Sequence, residues 1–396
     1  MADSLLSEFS LISRLPPYPL AEIVEQMQAQ RKQGCDVINL GMGNPDGDSP
    51  DFVVDKLCEA AHKAKNHRYS VSRGIPKLRQ AVCDWYQRKF AVRLDPDHEA
   101  VVTMGAKEGL SHLILAITQP GDMVLVPNPT YPIHYYAPIL ARCSVRDIRC
   151  DVMDGFFDNL SRAMKTVHPT PRLLICSFPS NPTGHVVDLK FFEELVAFAK
   201  AHQLYIIHDL AYADLTFDGY EAPSLMQANG AKDVGVELYS MSKGYNLAGW
   251  RVAFAVGNQK LVAALKKIKS YFDYGLFQPI QIAATVCLND GDAFAKQNAE
   301  VYRRRRDILV EEFAKSGWGM PTPMATMFIW ARIPEKFSHL SSVEFSKQML
   351  KHANVCCAPG IGFGEFGEGH VRFALVENEK RIQQAAKSVK RWMQLA

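Results

Sequence analysis

The sequence predicts an α/β protein in two lobes: a largely parallel sheet with helices on both faces, then a smaller α+β lobe that the N-terminal segment joins. Apolar strand-like runs alternate with helical patterns from about Phe52 to Phe272, the rhythm of a parallel sheet with crossover helices. Beyond Gln278-Pro279 the rhythm changes. A long helical stretch leads to strand candidates at Met327 to Ile333 and Val371 to Leu375, separated by a helix and by the glycine-rich stretch Gly360 to Gly369. At 396 residues the chain also exceeds what one core usually serves. We therefore expect an N-terminal segment over 1–50 joining the small lobe, a large lobe over 51–280, and a small lobe over 281–396.

In chain order, the first clear helix signal is Pro76-Lys77-Leu78-Arg79-Gln80-Ala81-Val82, with apolar residues at helical spacing. Val101-Val102-Thr103 then runs through Met104-Gly105 into Ala106-Lys107-Glu108-Gly109, a strand entering a helix through a glycine. Met123 to Val126 is a strand that ends on Pro127-Asn128-Pro129-Thr130-Tyr131, and Leu173 to Cys176 is another, followed by Asn181-Pro182-Thr183-Gly184. A helix follows around Phe191 to Phe198. Leu204 to His208 reads as a buried strand whose polar residues, Asp209-Leu210-Ala211-Tyr212, fall at its carboxyl end, where open α/β sheets bind ligands. There are no repeats, low-complexity tracts or long linkers.

The chemistry concentrates in Ser240-Met241-Ser242-Lys243 and Gly249-Trp250-Arg251. A lysine can condense with a carbonyl to form a Schiff base, while two hydroxyls and a guanidinium can grip a phosphate with charge-assisted hydrogen bonds. Pyridoxal phosphate carries both handles. Asp209 can pair with a protonated pyridine nitrogen, Tyr212 and Asn181 can hydrogen-bond the ring oxygen, and Tyr131 can stack on the ring face. Free amides at the helix start after Gly105 suit a phosphate. Arg372, in the apolar context Val371-Arg372-Phe373, needs an anionic partner if buried, and a substrate carboxylate would be one. Taken singly, each motif also suits an ordinary turn, a core aromatic or a surface lysine. Their combination carries the argument.

Composition narrows the class. A net charge of +3 makes no case for nucleic-acid binding. The run Arg303 to Arg306 and the trio Lys266, Lys267 and Lys269 lie in helical stretches with acids nearby, which predicts solvated or salt-bridged faces. Nine cysteines with no C-x-x-C pair fit a reducing compartment, and Cys356-Cys357 reads as buried packing; no metal site is expected. The opening Met1-Ala2-Asp3-Ser4 lacks a basic leader, and no apolar run reaches the roughly 20 residues that cross a bilayer. A cytoplasmic protein with no membrane association is the expectation.

In order and spacing, these motifs resemble the class I/II aminotransferases of PLP fold type I. The resemblance spans nearly the whole chain, from Ile38 to Asp46, through Tyr69 to Arg79, Gly105, Tyr131, N-P-T-G, D-x-A-Y and S-x-S-K, to Arg372. Leu15-Pro16-Pro17-Tyr18, GMGNPDG at Gly41 to Gly47, HRYSVSRGIP at His67 to Pro76, HDLAYAD at His208 to Asp214 and KSYFDYG at Lys269 to Gly275 are similar to the bacterial alanine (glutamate-pyruvate) aminotransferase branch. The resemblance implies a mainly parallel seven-stranded sheet sandwiched by helices, pyridoxal 5′-phosphate as cofactor, and ping-pong transamination through aldimines between L-alanine/pyruvate and L-glutamate/2-oxoglutarate. It makes Lys243, Asp209 and Tyr212 catalytic. It assigns the cofactor to Gly105, Ala106, Lys107, Tyr131, Asn181, Asp209, Tyr212, Ser240, Ser242, Lys243 and Arg251, with Tyr69 reaching the other subunit's cofactor in a homodimer. It assigns the substrate to Gly43, Asn181, Arg372, Tyr18 and Arg14. Ala106 departs from the pattern, since many relatives place a serine there.

Substrate choice is less defined. No arginine lies between Gln259 and Tyr302, where a second substrate carboxylate is usually met in aspartate aminotransferases, so small or mixed amino acids are favoured, with Arg14 as the candidate partner for glutamate's γ-carboxylate. The rival readings are an LL-diaminopimelate, aromatic or methionine aminotransferase, a carbon-sulfur β-lyase that would release ammonia, and, most distant, a non-catalytic PLP-binding regulator.

Overall fold

The computed structural model describes Phe9, residues 11–16 and residues 19–395; Tyr18 lies outside the described residues. Among the described residues there are twelve strands, in chain order β1 Ile38–Asn39, β2 Ala100–Thr103, β3 Met123–Asn128, β4 Ser144–Arg149, β5 Leu173–Cys176, β6 Tyr205–Asp209, β7 Gly235–Ser240, β8 Ala253–Gly257, β9 Phe328–Arg332, β10 Val355–Cys356, β11 Ala358–Pro359 and β12 His370–Ala374. Seven of them form one sheet in the order β2-β8-β7-β6-β5-β3-β4. Its neighbours pair in parallel except β8, which runs antiparallel to both β2 and β7.

Helices cover both faces of this sheet, so its central strands are continuous apolar runs rather than alternating ones. On β5, Leu174 and Cys176 enter one core and Leu173 and Ile175 the other, the period-two alternation of a strand. The first core takes Phe192, Leu195, Val196 and Ala199 from the helix Leu189–His202. Asp188 caps that helix by accepting the N–H of Phe191 at 2.9 Å, and Gln203 ends it in the left-handed region at φ 53°. The second core takes Leu110, Leu113 and Ile114 from the helix Ala106–Ile117, with Leu261, Val262 and Leu265 from the helix Gln259–Phe272. Each such fully buried aliphatic side chain stabilises the fold by about 1.5–3 kcal/mol.

A separate core forms around the antiparallel sheet β11-β12-β9. The helices Asp292–Lys315, Ser342–Ala353 and Glu379–Leu395 pack over it, the second opening on a capping box between Ser341 and Glu344. β1 pairs in parallel with β10, Ile38 opposite Val355, which binds the N-terminal segment to this second core. The helix Gln278–Asp290 does not join it. That helix buries Ala283, Ala284, Cys287 and Leu288 in the large-sheet core, and Ala295 of the next helix joins them there. Pro279 marks the start of the helix Gln278–Asp290, which is why the sequence pattern changes there.

Both basic clusters hold the expected salt bridges, but three of their residues are buried. Arg303 is salt-bridged on the surface, but Arg305 and Arg306 are buried: Arg305 holds Asp46 in a two-pronged grip at 2.6 and 2.9 Å, and Arg306 holds Asp218. Lys266 and Lys267 lie near the surface, whereas Lys269 is 0% exposed. Among the described residues, no helix is long and apolar enough to cross a membrane.

Candidate active site

The site lies at the carboxyl ends of the large sheet's parallel strands, facing the β9-β12 layer. β7 ends on Ser240, whose Oγ accepts the N–H of Ser242 at 3.3 Å and donates to Ser242 Oγ at 2.9 Å. This turn begins the one-turn helix Met241–Gly244 and aims Lys243 off the strand end. Lys243 Nζ donates to the carbonyl of Gly43 at 2.7 Å. Burial, followed by the positive charges of Arg372 and Arg251, lowers the Lys243 pKa to about 8, which favours the neutral, nucleophilic amine.

A phosphate cradle sits beside it. Gly105 precedes the helix Ala106–Ile117 at φ 86°, a conformation that favours glycine, and the first amides of that helix have no carbonyl partner within it. The guanidinium of Arg251 lies flush against Gly105, so closely that a Cβ there would stand 2.1 Å from Nη2. Arg251 is itself at φ 58°, and its Nη1 donates to Ala248 O at 2.9 Å. Ala106 contributes a backbone amide in place of a hydroxyl, and the Lys107 ammonium lies 5.1 Å over the Tyr131 ring. Helix amides, two buried hydroxyls, a fixed guanidinium and a lysine of lowered pKa together fit a phosphorylated aldehyde.

Asp209 closes β6. Its Oδ2 takes a hydrogen bond from His134 Nε2 at 3.0 Å, and His134 Nδ1 meets Thr130 Oγ1 at 2.9 Å. His134 is 1% exposed and was not among the sequence candidates. Its one signal is position: three residues past Tyr131, it shares a face of the helix Pro132–Leu140 with it. Behind Asp209 lies a second network that the sequence did not disclose. Fully buried Glu237 accepts from Tyr86, Ser224 and the amide of Leu225, and pairs with His208 at 2.8 Å. Asp209 thus ends a strand whose preceding residue is locked to its neighbour on β7.

On the opposite wall, Arg372 of β12 reaches between the two cores. Its Nη1 donates to Asn181 Oδ1 at 2.7 Å and its Nη2 to Gly41 O at 3.0 Å, while its plane lies 3.9 Å from the Phe328 ring centre and 4.5 Å from that of Phe363. Two aromatic faces and two neutral acceptors line the cation, and a guanidinium so placed can meet a carboxylate. Asn181 also donates to Tyr212 OH at 3.4 Å, and burial raises the Tyr212 pKa. Gly43 must be glycine here, since a Cβ would come within 2.5 Å of Phe328.

The structure therefore gathers Lys243, Arg372, Gly43, Asn181 and Tyr212 into one contact network, and Gly105, Ala106 and Arg251 into a second beside it. Tyr69 lies outside both: 86% exposed, it packs against Tyr274 at 4.6 Å. Arg14 is exposed on the turn Ile12–Arg14, and the buried group that feels its charge is the Cys143 thiol.

Comparison with known proteins matches residues 35–389 to the model of the aminotransferase class I and II family. The chain is 50% identical over 382 residues to the glutamate-pyruvate aminotransferase AlaC of Escherichia coli, covering 96% of this chain and 93% of AlaC. It is 42% identical over 386 residues to an LL-diaminopimelate aminotransferase of Moorella thermoacetica, covering 98% of each. Among solved structures, substrate-bound BacF of Bacillus subtilis superimposes with a TM-score of 0.90 at 33% identity over 97% of each chain.

Proposed function

This chain belongs to the aminotransferase class I and II family, with the PLP type I fold and pyridoxal 5′-phosphate as cofactor; on that premise we propose that it moves an α-amino group between L-alanine/pyruvate and L-glutamate/2-oxoglutarate. The observation that carries the reading is the placement of Arg372 and Lys243 around Gly43: a carboxylate anchor and a reactive amine share one small glycine-floored space. An α-amino acid with a compact side chain fits that arrangement. The 50% identity to a glutamate-pyruvate aminotransferase supports the pair of substrates.

When bound, pyridoxal phosphate supplies an aldehyde and an electron-withdrawing ring. The chain's own residues do the rest. Arg251, Ser240, Ser242 and the amides of Gly105 to Lys107 hold the phosphate, and Tyr131 covers a ring face. Asp209, steadied by His134, keeps the ring nitrogen protonated, while Asn181 and Tyr212 face the ring oxygen. Arg372 would take the substrate carboxylate and so orient the substrate's Cα toward Lys243. Lys243, with its pKa lowered to about 8, would take the substrate's α-proton on Nζ and hold it for return.

The protein works as a homodimer in this reading, supported by the exposed aromatic surface of Tyr69, Tyr271, Phe272 and Tyr274, of a kind that a partner usually covers. Nine free cysteines support a cytoplasmic location. The identity to LL-diaminopimelate aminotransferases favours one alternative substrate class.

A half-reaction separates these readings. Holoenzyme is mixed with L-alanine and no oxo acid, and pyruvate, ammonia and the cofactor spectrum are followed. One pyruvate per site without ammonia is the expected result. No pyruvate from alanine, with rapid conversion of LL-diaminopimelate, would move the assignment to that substrate, and release of ammonia and pyruvate from an amino acid with a β-thiol leaving group, such as cysteine, would make the enzyme a lyase. Steady-state plots against both substrates should give parallel lines; an intersecting set would exclude the ping-pong scheme.

A further inference from the structure

Lys269 is 0% exposed, a costly place for an ammonium unless it is paired. Its helix, Gln259–Phe272, packs against the helix Ala106–Ile117. Nζ donates to Glu108 Oε1 at 2.9 Å and to Asp273 Oδ2 at 3.0 Å. His112 Nδ1 also lies 2.5 Å from Glu108 Oε1. Glu108, His112 and Asp273 have the makings of a cation site, but the ammonium already stands among them.

The second oxygen of Glu108 explains what the cluster is for. Oε2 accepts the N–H of Met104 at 2.9 Å, the residue immediately before Gly105. A glutamate in the helix's first turn thus reaches back and fastens the backbone on which Gly105 turns at φ 86° to face Arg251. That service carries an electrostatic cost. The same first turn offers its amides to a phosphate, and an uncompensated carboxylate one turn away would repel it. Lys269 supplies the compensating charge from the buried side, where solvent cannot. Its own position is set by Asp273, whose other oxygen accepts the amide of Gly275 at 2.6 Å.

We propose that Lys269 is a positioning residue for the cofactor phosphate: it holds and neutralises Glu108, so that Glu108 can fix the Met104-Gly105 turn without repelling the phosphate. This does not depend on which amino acid is the substrate.

The test is cofactor affinity, measured by titrating pyridoxal phosphate into the apoenzyme of each variant, with circular dichroism to verify folding. Lys269→Met should weaken binding by at least about tenfold, because a partly buried carboxylate loses its ammonium partner beside the phosphate site. Adding Glu108→Gln to that variant should recover most of the loss, since the amide keeps an acceptor for Met104 and removes the charge. A folded Lys269→Met protein that binds within about twofold of the parent would overturn the proposal, as would a loss that the double variant does not recover. If Lys269→Met does not fold, Glu108→Gln and Glu108→Ala decide alone: the first should bind as tightly as the parent or tighter, the second more weakly. Equal losses in both would overturn it.

Discussion

The two walls of the site are held in different ways. On the large-sheet wall, Ser240, Lys243 and Asp209 leave the ends of adjacent strands β7 and β6, so the sheet's hydrogen-bonding register sets their spacing. On the facing wall, Arg372 belongs to a different core, and direct hydrogen bonds to Asn181 and Gly41 fix it to this site. The first wall is built by one sheet, and the second is positioned by contact between two cores. The difference teaches where binding of the cofactor and binding of the substrate can be separated: a change on one wall should leave the other function largely intact.

The largest expected effect is on the sheet wall. Lys243→Ala should lower the rate of the alanine half-reaction by at least about 10⁴-fold, because it removes both the nucleophile and the proton carrier. Pyridoxal phosphate should still bind without a covalent link, through the groups around Arg251; rapid loss of the cofactor on gel filtration would break the separation. Next comes the facing wall. Arg372→Leu should reduce kcat/KM for amino acids by about 10²- to 10³-fold, the cost of losing a buried charge-assisted anchor, while cofactor affinity stays within about twofold. A parallel loss of cofactor affinity would show that the two walls are one unit.

A smaller effect sharpens the sheet wall itself. His134→Phe leaves Asp209 in place without its partner and should lower kcat by about tenfold, with KM little changed. The smallest effect links the walls through charge. Cofactor capture by the apoenzyme should rise with pH through about 8, because the neutral amine of Lys243 is the reactive form and burial together with Arg372 and Arg251 lowers its pKa. Removing Arg372 deletes one of the charges that disfavour the ammonium, so in Arg372→Leu the midpoint should move upward. A midpoint that stays or falls would mean the two groups do not sense each other.

The clustering of these residues was legible from the sequence because the proposed cofactor groups sit where strands end. A buried apolar run followed by polar residues marks a sheet's carboxyl edge, and Asp209, Asn181, Gly105 and Ser240 each follow such a run. Tyr205–Asp209 and Gly235–Ser240 then lie side by side in the sheet. Less legible were groups whose burial depends on distant partners. Lys269 reads as one of three surface lysines, because Glu108 lies 161 residues earlier. Arg305 reads as part of a solvated run, because its partner Asp46 is 259 residues away. His134 reads as an ordinary helical residue until Asp209 comes within hydrogen-bonding distance. Local pattern reports what a segment wants to be, and it is silent on which charges the fold will bring together.

The pairing of β1 with β10 has a further consequence for the order in which the protein is made. Ile38 and Asn39 leave the ribosome early, yet their partners, Val355 and Cys356, follow only after the whole large sheet has been translated. At roughly 5–20 residues per second, that interval lasts tens of seconds. During this time the nascent chain holds every strand that carries Lys243 and Asp209, while Arg372 is still missing. Vectorial synthesis therefore completes Lys243 and the strand ends around it first and adds Arg372 later, so the proposed cofactor groups are present well before the proposed carboxylate anchor.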